Sequence, residues 1–587
     1  MSKWLIYNKK DNYEKLNNEK RLSNIQKLIL ANRDITDENA INSFIDSSVD
    51  NMYDPYLLKD MDKAVEAVFN AMMQGKLIRI IGDYDADGVS ATSILMKGLG
   101  AFYDQVSYSI PDRVDDGYGL SVSLVDRCIE DGVELIVTCD NGIAAFEACE
   151  YAMKNNIDVV VTDHHQVIYE NGAEMLPNAK AIVNPSQESC HYPFKKICGA
   201  VVAYKLIYAL YMKYGDDFSV SRDRILELLE FAAIGTIADM MDLVDENRII
   251  VIEGLKRLNK TRNLGMIELL RQLNWADREV DVYTIGFIIG PTINATGRLY
   301  TAKLATELFL DNDLESLREY ARELIDLNTE RKDMTKNSLN HSVSKIIDEK
   351  LYENDIIILY NNEVHESICG LVAGRVKDIF NKPTIVLTDS IKDDQVFLKG
   401  SGRSIEAYDM HANLSELNSY FVAFGGHKMA CGLTMRFEDL DDFISTVNKR
   451  SNLTDDDFLK IVNIDAALNF KMINFSLIQD IEILKPYGKG FEKPRFASKN
   501  VIINNIGLIG KNRNVLKMQL SQADIVIDAI SFNPERIIEQ LEKKFKIDDV
   551  TSSFGKILYK SMDIVFTMSI NSFNGRNSIQ LVIEEIR

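Results

Sequence analysis

From Leu77 to about Pro185 the chain alternates short, unbroken apolar runs with longer stretches whose apolar residues recur every three to four positions. "LIRIIGD", "VELIVTCD", "IDVVVTDHH" and the shorter "AKAIVNP" read as buried strands. The segment after Gly88 and "IAAFEACEYAMKNN" read as helices between them, and further helices are expected from Gly199 to about Tyr214 and from Arg222 to Ile237. This alternation predicts an α/β domain over 61–300, with a mostly parallel sheet and helices on both faces. Ahead of it, residues 1–60 read as a helical extension leading into the amphipathic stretch "DPYLLKDMDKAVEAVFNAMMQGK". Behind it, apolar residues at Leu314, Leu317, Ala321, Leu324, Met334, Val343 and Ile346 predict one long connecting helix within 301–350. "DIIILY", "PTIVLTD" and "FLKGSGRS" announce a smaller α/β domain over 351–450. From 455 to 587, alternating segments such as "NVLKMQLS" and "DIVIDAISF" predict a small antiparallel barrel or sandwich.

A length of 587 residues exceeds what one core holds, in keeping with several domains. No apolar run reaches membrane-spanning length, and the opening "MSKWLIYNKKDNYEK" lacks the apolar core of a signal peptide. A cytoplasmic protein with no membrane partner is therefore expected. Seven cysteines lie singly, with no C-x-x-C pair, which suits reduced and mostly buried thiols. The formal net charge of −21 argues against a surface coated with phosphate-binding residues, yet it averages over the whole exterior and leaves room for a local cationic cleft.

The acid-rich segments add chemistry. Asp83, Asp85 and Asp87 alternate in "DYDADG". One such Asp commonly caps the following helix, but three within five residues repel one another and suit a hard divalent cation. Asp140 ends a strand in "CDNG", which by itself is a turn signal. "TDHH" brings Asp163, His164 and His165, imidazole being a metal ligand that neighbouring carboxylates orient. In "GTIADMMDL" Asp239 ends an apolar helix, where its charge opposes the helix dipole. Ligands of open α/β sheets bind at the carboxyl ends of strands, so these distant segments can converge on one edge. The inventory exceeds the needs of one ion and suits two cations sharing a bridging acid, with mixed Asp/His ligation favouring Mn²⁺ over Mg²⁺.

In this order and spacing, "DYDADG", "CDNG", "TDHH" and "GTIADMMDL" resemble the four motifs of the DHH phosphoesterase superfamily. "IPDRVDDGYGL", "PTINATGRL", "GSGRS" and "FGGHKMACG" resemble the RecJ family of bacterial 5′-to-3′ single-strand-specific DNA exonucleases within it. "LKPYGKGFEKPRF" and "NSFNGRNSIQLVI" resemble the oligonucleotide-binding (OB-like) barrel that follows the catalytic lobes in that family. The resemblance covers nearly the whole chain. It implies that 61–300 is the DHH catalytic domain, 351–450 the DHH-associated substrate-binding domain and 455–587 an OB-like nucleic-acid-binding domain. Carried over position by position, it implies Asp85, Asp87, Asp140, His164 and Asp239 as ligands of two metals, with Asp140 bridging. Asp83 and His165 are implied as catalytic helpers, His165 facing the scissile phosphate as charge stabiliser or proton donor. Arg113, Arg298, Ser401 and Arg403 fall in motifs that surround nucleotide phosphates, and His427 follows two glycines that suit a terminal-phosphate pocket. Two departures stand out. "VHESICGLVAG" has Val364 in place of tryptophan and introduces Ser367 and Cys369, and Thr292 replaces a usually basic residue and so removes one phosphate contact.

The activity so implied is degradation of single-stranded DNA from a free 5′ end to mononucleotides, in recombination and repair, by a monomer working with a RecQ-type helicase and the single-stranded-DNA-binding protein. The alternative is a small-substrate phosphodiesterase of the same superfamily, acting on cyclic dinucleotides or very short RNA; a pyrophosphatase relative is a further reading. Both share the metal motifs without needing about 130 residues of barrel. A scaffold that has lost activity is disfavoured because every ligand position is intact. Phe573, Tyr487 and Phe496 are candidate base-stacking residues, although each taken singly is as well placed in a core.

Overall fold

Four apolar runs of the α/β region and one more polar segment form a five-stranded sheet: β1 (Ile78–Ile81), β3 (Leu135–Cys139), β4 (Asp158–Thr162) and β5 (Ala181–Val183) are the runs, and β2 (Val106–Ser109) is the added strand. A computed structural model describes residues 2–111, 119–299, 301–392, 395–551, 554–573 and 575–587. Every neighbouring pair of these strands is parallel, and the order across the sheet is β2-β1-β3-β4-β5. β3 is buried throughout, which explains its unbroken apolar run. The edge strand β2, "VSYS", is only half-buried and carries no such run, so the sequence pattern passes over it.

Helices α1 (Ala86–Leu99), α2 (Phe146–Lys154), α3 (Gly199–Tyr214) and α4 (Leu229–Ala238) follow the expected segments. The expected single helix from Arg222 to Ile237 is instead two, Arg222–Glu227 and α4, meeting at Leu228. After α5 (Gly290–Leu299) comes α6 (Leu314–Asp348), 35 residues capped by Asp313, whose side chain accepts from Ser316 N. Leu317, Ala321, Leu324 and Ile346 bury its apolar stripe, while Leu314 at its first turn is 53% exposed.

The second lobe is a five-stranded sheet of β6 (Ile357–Tyr360), β7 (Thr384–Lys392), β8 (Gln395–Arg403), β9 (Phe421–His427) and β10 (Ala430–Arg436). Its order is β9-β10-β8-β7-β6, with only β6 and β7 parallel, and α7 (Cys369–Phe380) packs on it. Both lobes belong to one compact unit, Met52–Met241 with Ile250–Lys460.

The other unit joins Met1–Asn51, Asp242–Ile249 and Ile461–Arg587. Its strands Phe496–Ile509, Val515–Gln522, Ile525–Ser531, Arg576–Ile586 and Ser561–Phe573 close into a five-stranded barrel, because Phe496–Ile509 is long enough to pair at both edges. One pairing, Ile525–Ser531 with Arg576–Ile586, is parallel, a departure from the all-antiparallel expectation. Helices Asn24–Asn32 and Glu38–Ile45 share a core with this barrel, Ile29, Leu30 and Phe44 packing with Phe491, Phe496 and Leu516. The fully buried Arg248 donates to the carbonyls of Leu484, Lys485 and Pro486 and lies 4.1 Å from the ring centroid of Phe44. Phe496 is a core residue and offers no base-stacking face, while Tyr487 is half-buried with one ring face stacked on Phe491. The side chain of Phe573 lies outside the described residues. All seven cysteines are buried and free of disulfides, and no described helix is long and apolar enough to cross a membrane.

Candidate active site

The strand order reverses its direction of growth between β1 and β3, the place where loops part and an open α/β sheet binds its ligand. Three acidic loops leave adjacent strand ends there. Behind β1, one oxygen of Asp85 caps α1, accepting from Asp87 N at 2.8 Å and Gly88 N at 3.0 Å. Helix capping and cation binding are thus not exclusive for this residue, because its second oxygen is left over. A Cβ on Gly88 would stand 2.6 Å from Cβ of Asp83, so glycine lets the acidic turn close on itself.

Behind β3, Asp140 has φ 62°, a left-handed conformation that Asp tolerates at a cost of about 1–3 kcal/mol. Asn141 holds it there by donating to the carbonyls of Ile81 and Cys139, tying the ends of β1 and β3 together. Behind β4, Asp163 turns its carboxylate to the frame, accepting from Ile143 N, His164 N and His165 N and facing His165 Nδ1 at 2.8 Å. Asn184 and Ser186 donate to the carbonyls of His165 and His164. Asp239 sits at the C-cap of α4 as expected.

These loops converge. His164 Nε2 is 3.0 Å from Asp140 Oδ1 and 3.8 Å from both Asp87 Oδ2 and Asp239 Oδ2. Three overlapping groups, Asp83/Asp85/Asp140, Asp87/His164/Asp239 and Asp140/His164/His165, each bring their donor atoms within 4.8 Å of one another. Asp140 and His164 each belong to two of them. Asp87 is further held by α3, accepting from Gly199 N at 2.7 Å and Ala200 N at 3.0 Å, so a helix N-terminus faces its charge. Added Cβ atoms at Gly199 and Gly235 would stand 2.4 Å from Asp140 Oδ1 and 2.3 Å from Asp87 Oδ1.

Burial, then the charge of Asp85, raises Asp83 well above the ordinary carboxylate range; burial, then Asp87, raises Asp85; burial, then Asp87, Asp85 and Asp83, raises Asp140 well above it. Burial lowers His164 and keeps it neutral. Burial also works to lower His165, but the hydrogen bond and charge of Asp163, with Asp239 and Asp83, outweigh it and push the imidazole up to about 9. Among the described residues Asp83 Oδ1 is buried with no hydrogen-bond partner. Crowded carboxylates, a neutral imidazole and an orphaned oxygen are what a hard divalent cation would satisfy, so the donor set fits metal. Cys139 is not among these donors; it contacts Thr92, and burial pushes its thiol up to about 12.

Asn294, which sequence reasoning missed, accepts from Ala86 N at 2.7 Å and so clamps the "DYDADG" turn from α5. On the same helix Arg298 donates to Ser367 O, carrying the contact to the second lobe at the start of α7. There Arg403 Nη1 donates to Ser401 Oγ and Gly402 O, and a Cβ on Gly370 would stand 2.7 Å from Arg403 Nη2. Arg298, Ser401 and Arg403 are therefore brought to one end of α7. His427 lies at the exposed end of β9, beside Gly426 at φ 153°. Arg113 lies outside the described residues. Thr292, fully buried, donates to Ile288 O and accepts from Asn328 of α6. Its position serves packing, and a basic side chain there would face the interior.

The chain matches three family models: the DHH family, N-terminal domain, over 77–236, the DHHA1 domain over 353–452 and the RecJ OB domain over 464–585. It is 33% identical over 577 residues to the single-stranded-DNA-specific exonuclease RecJ of Bacillus subtilis (strain 168), covering 98% of this chain and 69% of that protein. It is 32% identical to the protein of the same description from Haemophilus influenzae, covering 92% of this chain and 93% of that one. Among solved structures, RecJ in complex with Mn²⁺ from Thermus thermophilus shares the fold, with a TM-score of 0.79 at 23% identity over 100% of this chain and 79% of that chain. An exonuclease RecJ bound to manganese matches with a TM-score of 0.56 at 30% identity over 68% of this chain and 96% of that chain.

Proposed function

The chain belongs to the RecJ family of single-stranded-DNA-specific exonucleases, and from that premise we propose that it hydrolyses single-stranded DNA from a free 5′ end to mononucleotides. The observation that carries this reading is the convergence of acids from three adjacent strand ends and from the C-cap of α4 around His164. Asp85, Asp87, Asp140, His164 and Asp239 would hold two divalent cations, Mn²⁺ or Mg²⁺, Asp140 being placed to serve both, with Asp83 beside it. When bound, the pair supplies Lewis-acid activation of water and neutralises charge on the leaving oxygen. His165, kept protonated by Asp163, presents an N–H to a phosphate oxygen as charge builds there. Arg113, Arg298, Ser401 and Arg403 surround the nucleotide phosphates, the planar guanidinium fork suiting bidentate contact, and His427 belongs to the pocket for the terminal phosphate.

The barrel matched by the RecJ OB domain supplies a surface for the incoming strand, which a small-substrate phosphodiesterase would not need. The enzyme works as a cytoplasmic monomer in recombination and repair, alongside a RecQ-type helicase and the single-stranded-DNA-binding protein. The test is a polarity-resolved assay. With Mn²⁺, single-stranded DNA labelled at its 3′ end shortens progressively while the label stays on the longest remaining fragment. Immediate loss of the 3′ label reverses the polarity, and equal degradation of blunt duplex refutes strand selection.

A further inference from the structure

Away from the acid cluster lies a cavity of about 850 Å³, within the size range of small-molecule sites. Six of the eight charged side chains that line it are cationic, namely Lys97, Arg224, Lys256, Arg257, Lys260 and Arg262, opposed by Glu227 and Glu230. The chain as a whole has 67 basic and 88 acidic residues, so this wall inverts the balance of the molecule. Lys256 and Arg257 are tied to Glu253, and Arg262 reaches Glu227 at 3.6 Å. Arg224 and Lys260 make no ion pair among the described residues, and Lys97 makes none within bonding distance although the charge of Glu230 attracts it. Burial pushes Glu230 up to about 7, so the deepest carboxylate is only partly charged at neutral pH, and burial also disfavours the Lys97 ammonium. A bound anion would relieve that cost. Met96, Leu228 and Leu310 give the cavity an apolar side as well.

Its location separates it from the chemistry. α1 begins at the acids Asp85 and Asp87 and reaches the cavity with Lys97 in its last turn; α4 begins at the cavity with Glu230 and ends at Asp239. Ten residues of α4 span about 15 Å. We propose that this cavity is a second, non-catalytic site that binds the phosphates of a small nucleotide, its base resting on the apolar side. A DNA strand carries the same phosphates, but the concave wall favours a compact ligand over a continuous strand.

Titration calorimetry on the full chain in EDTA at low salt tests this, because without cations the acid cluster repels anions. ATP, thymidine monophosphate, inorganic pyrophosphate and a twelve-residue oligothymidylate are the probes. One ATP per chain is expected to bind, and affinity is expected to fall at least tenfold in R224Q/K260Q/R262Q. These three residues are exposed, so that variant keeps the wild-type melting temperature and its nuclease rate in Mn²⁺. Absence of saturable ATP binding at millimolar concentration, or equal binding by the variant, overturns the proposal. Pyrophosphate binding as tightly as ATP removes the base from it. Loss of oligothymidylate binding in the variant, with no ATP binding in the wild type, assigns the cavity to the nucleic-acid track and likewise overturns it.

Discussion

Asp140 concentrates the electrostatic conflict of the site. Its carboxyl is buried beside Asp87, Asp85 and Asp83, and its backbone is held in a left-handed turn. In the cation-free protein its folded pKa lies well above the ordinary 3.8, so the folded state keeps a proton that the unfolded chain has released. The group's contribution to stability is therefore full below about pH 3.8 and is lost as pH rises through the folded value. Asp140→Asn cannot ionise. In EDTA its melting temperature should exceed that of the wild type by a margin that widens from about pH 4 to pH 7, each kcal/mol being worth about 2–4 °C in a domain of 150–250 residues. A pH-independent margin, or a deficit at neutral pH, contradicts the assignment. With Mn²⁺ the wild type becomes the more stable, and nuclease turnover of the variant falls roughly 100-fold or more.

The Asp163–His165 pair makes a second claim at this scale. Asp163 is the largest influence raising His165, so Asp163→Asn lowers the pKa of the imidazolium. The alkaline limb of the kcat/KM profile should then move to lower pH, read from single-strand hydrolysis in buffers across that limb. A limb that stays in place would remove His165 from acid or charge-stabilising duty.

Helices aim these side chains as much as strands do. The N-terminus of α3 points two N–H groups at Asp87, α4 ends on Asp239, and α5 clamps the first acidic turn through Asn294. Among the described residues Asn294 hydrogen-bonds to no candidate ligand, yet removing its oxygen frees Ala86 N and loosens the turn between Asp85 and Asp87. Asn294→Ala should raise the Mn²⁺ concentration for half-maximal nuclease activity by about 10- to 100-fold while kcat at saturating Mn²⁺ stays within a few-fold of wild type. An unchanged Mn²⁺ requirement would reduce Asn294 to a packing residue. The motif residues were legible because Asp83, Asp85, Asp87, Asp140 and Asp163 follow apolar strands and Asp239 ends an apolar helix. Asn294, Gly199 and Asn184 were not, because a single Asn or Gly in a helical or loop segment carries no periodic signal and acquires meaning only from the loop it meets.

The molecule as a whole comprises two units that do not follow chain order. Residues 1–51 and 242–249 belong with 461–587, through the shared core of Ile29, Leu30 and Phe44 and through Arg248. A chain cut after Lys460 would strip these segments of their packing and leave the Arg248 guanidinium without its carbonyls. Such a truncation should aggregate or bind a hydrophobic dye strongly at temperatures where the full chain does not, measured by light scattering and dye fluorescence. A monodisperse truncation with native-like melting would show that the early helices stand alone.

Local patterning by itself determined the parallel α/β lobe, the long helix, the β-rich C-terminal segment and the placing of acids and imidazoles directly after strands and at the end of one apolar helix. Those features depend on period, turn chemistry and charge repulsion, all of which act within a few residues. Only the tertiary structure decided the strand order that brings β1 and β3 side by side, the grouping of the N-terminal helices with the barrel, the burial of Thr292 and Phe496, and the helix termini that hold Asp87 and Asp239. Each of these is set by which surfaces meet across long stretches of chain. Packing of that kind depends on the sum of many weak contacts, and no short window of residues contains it.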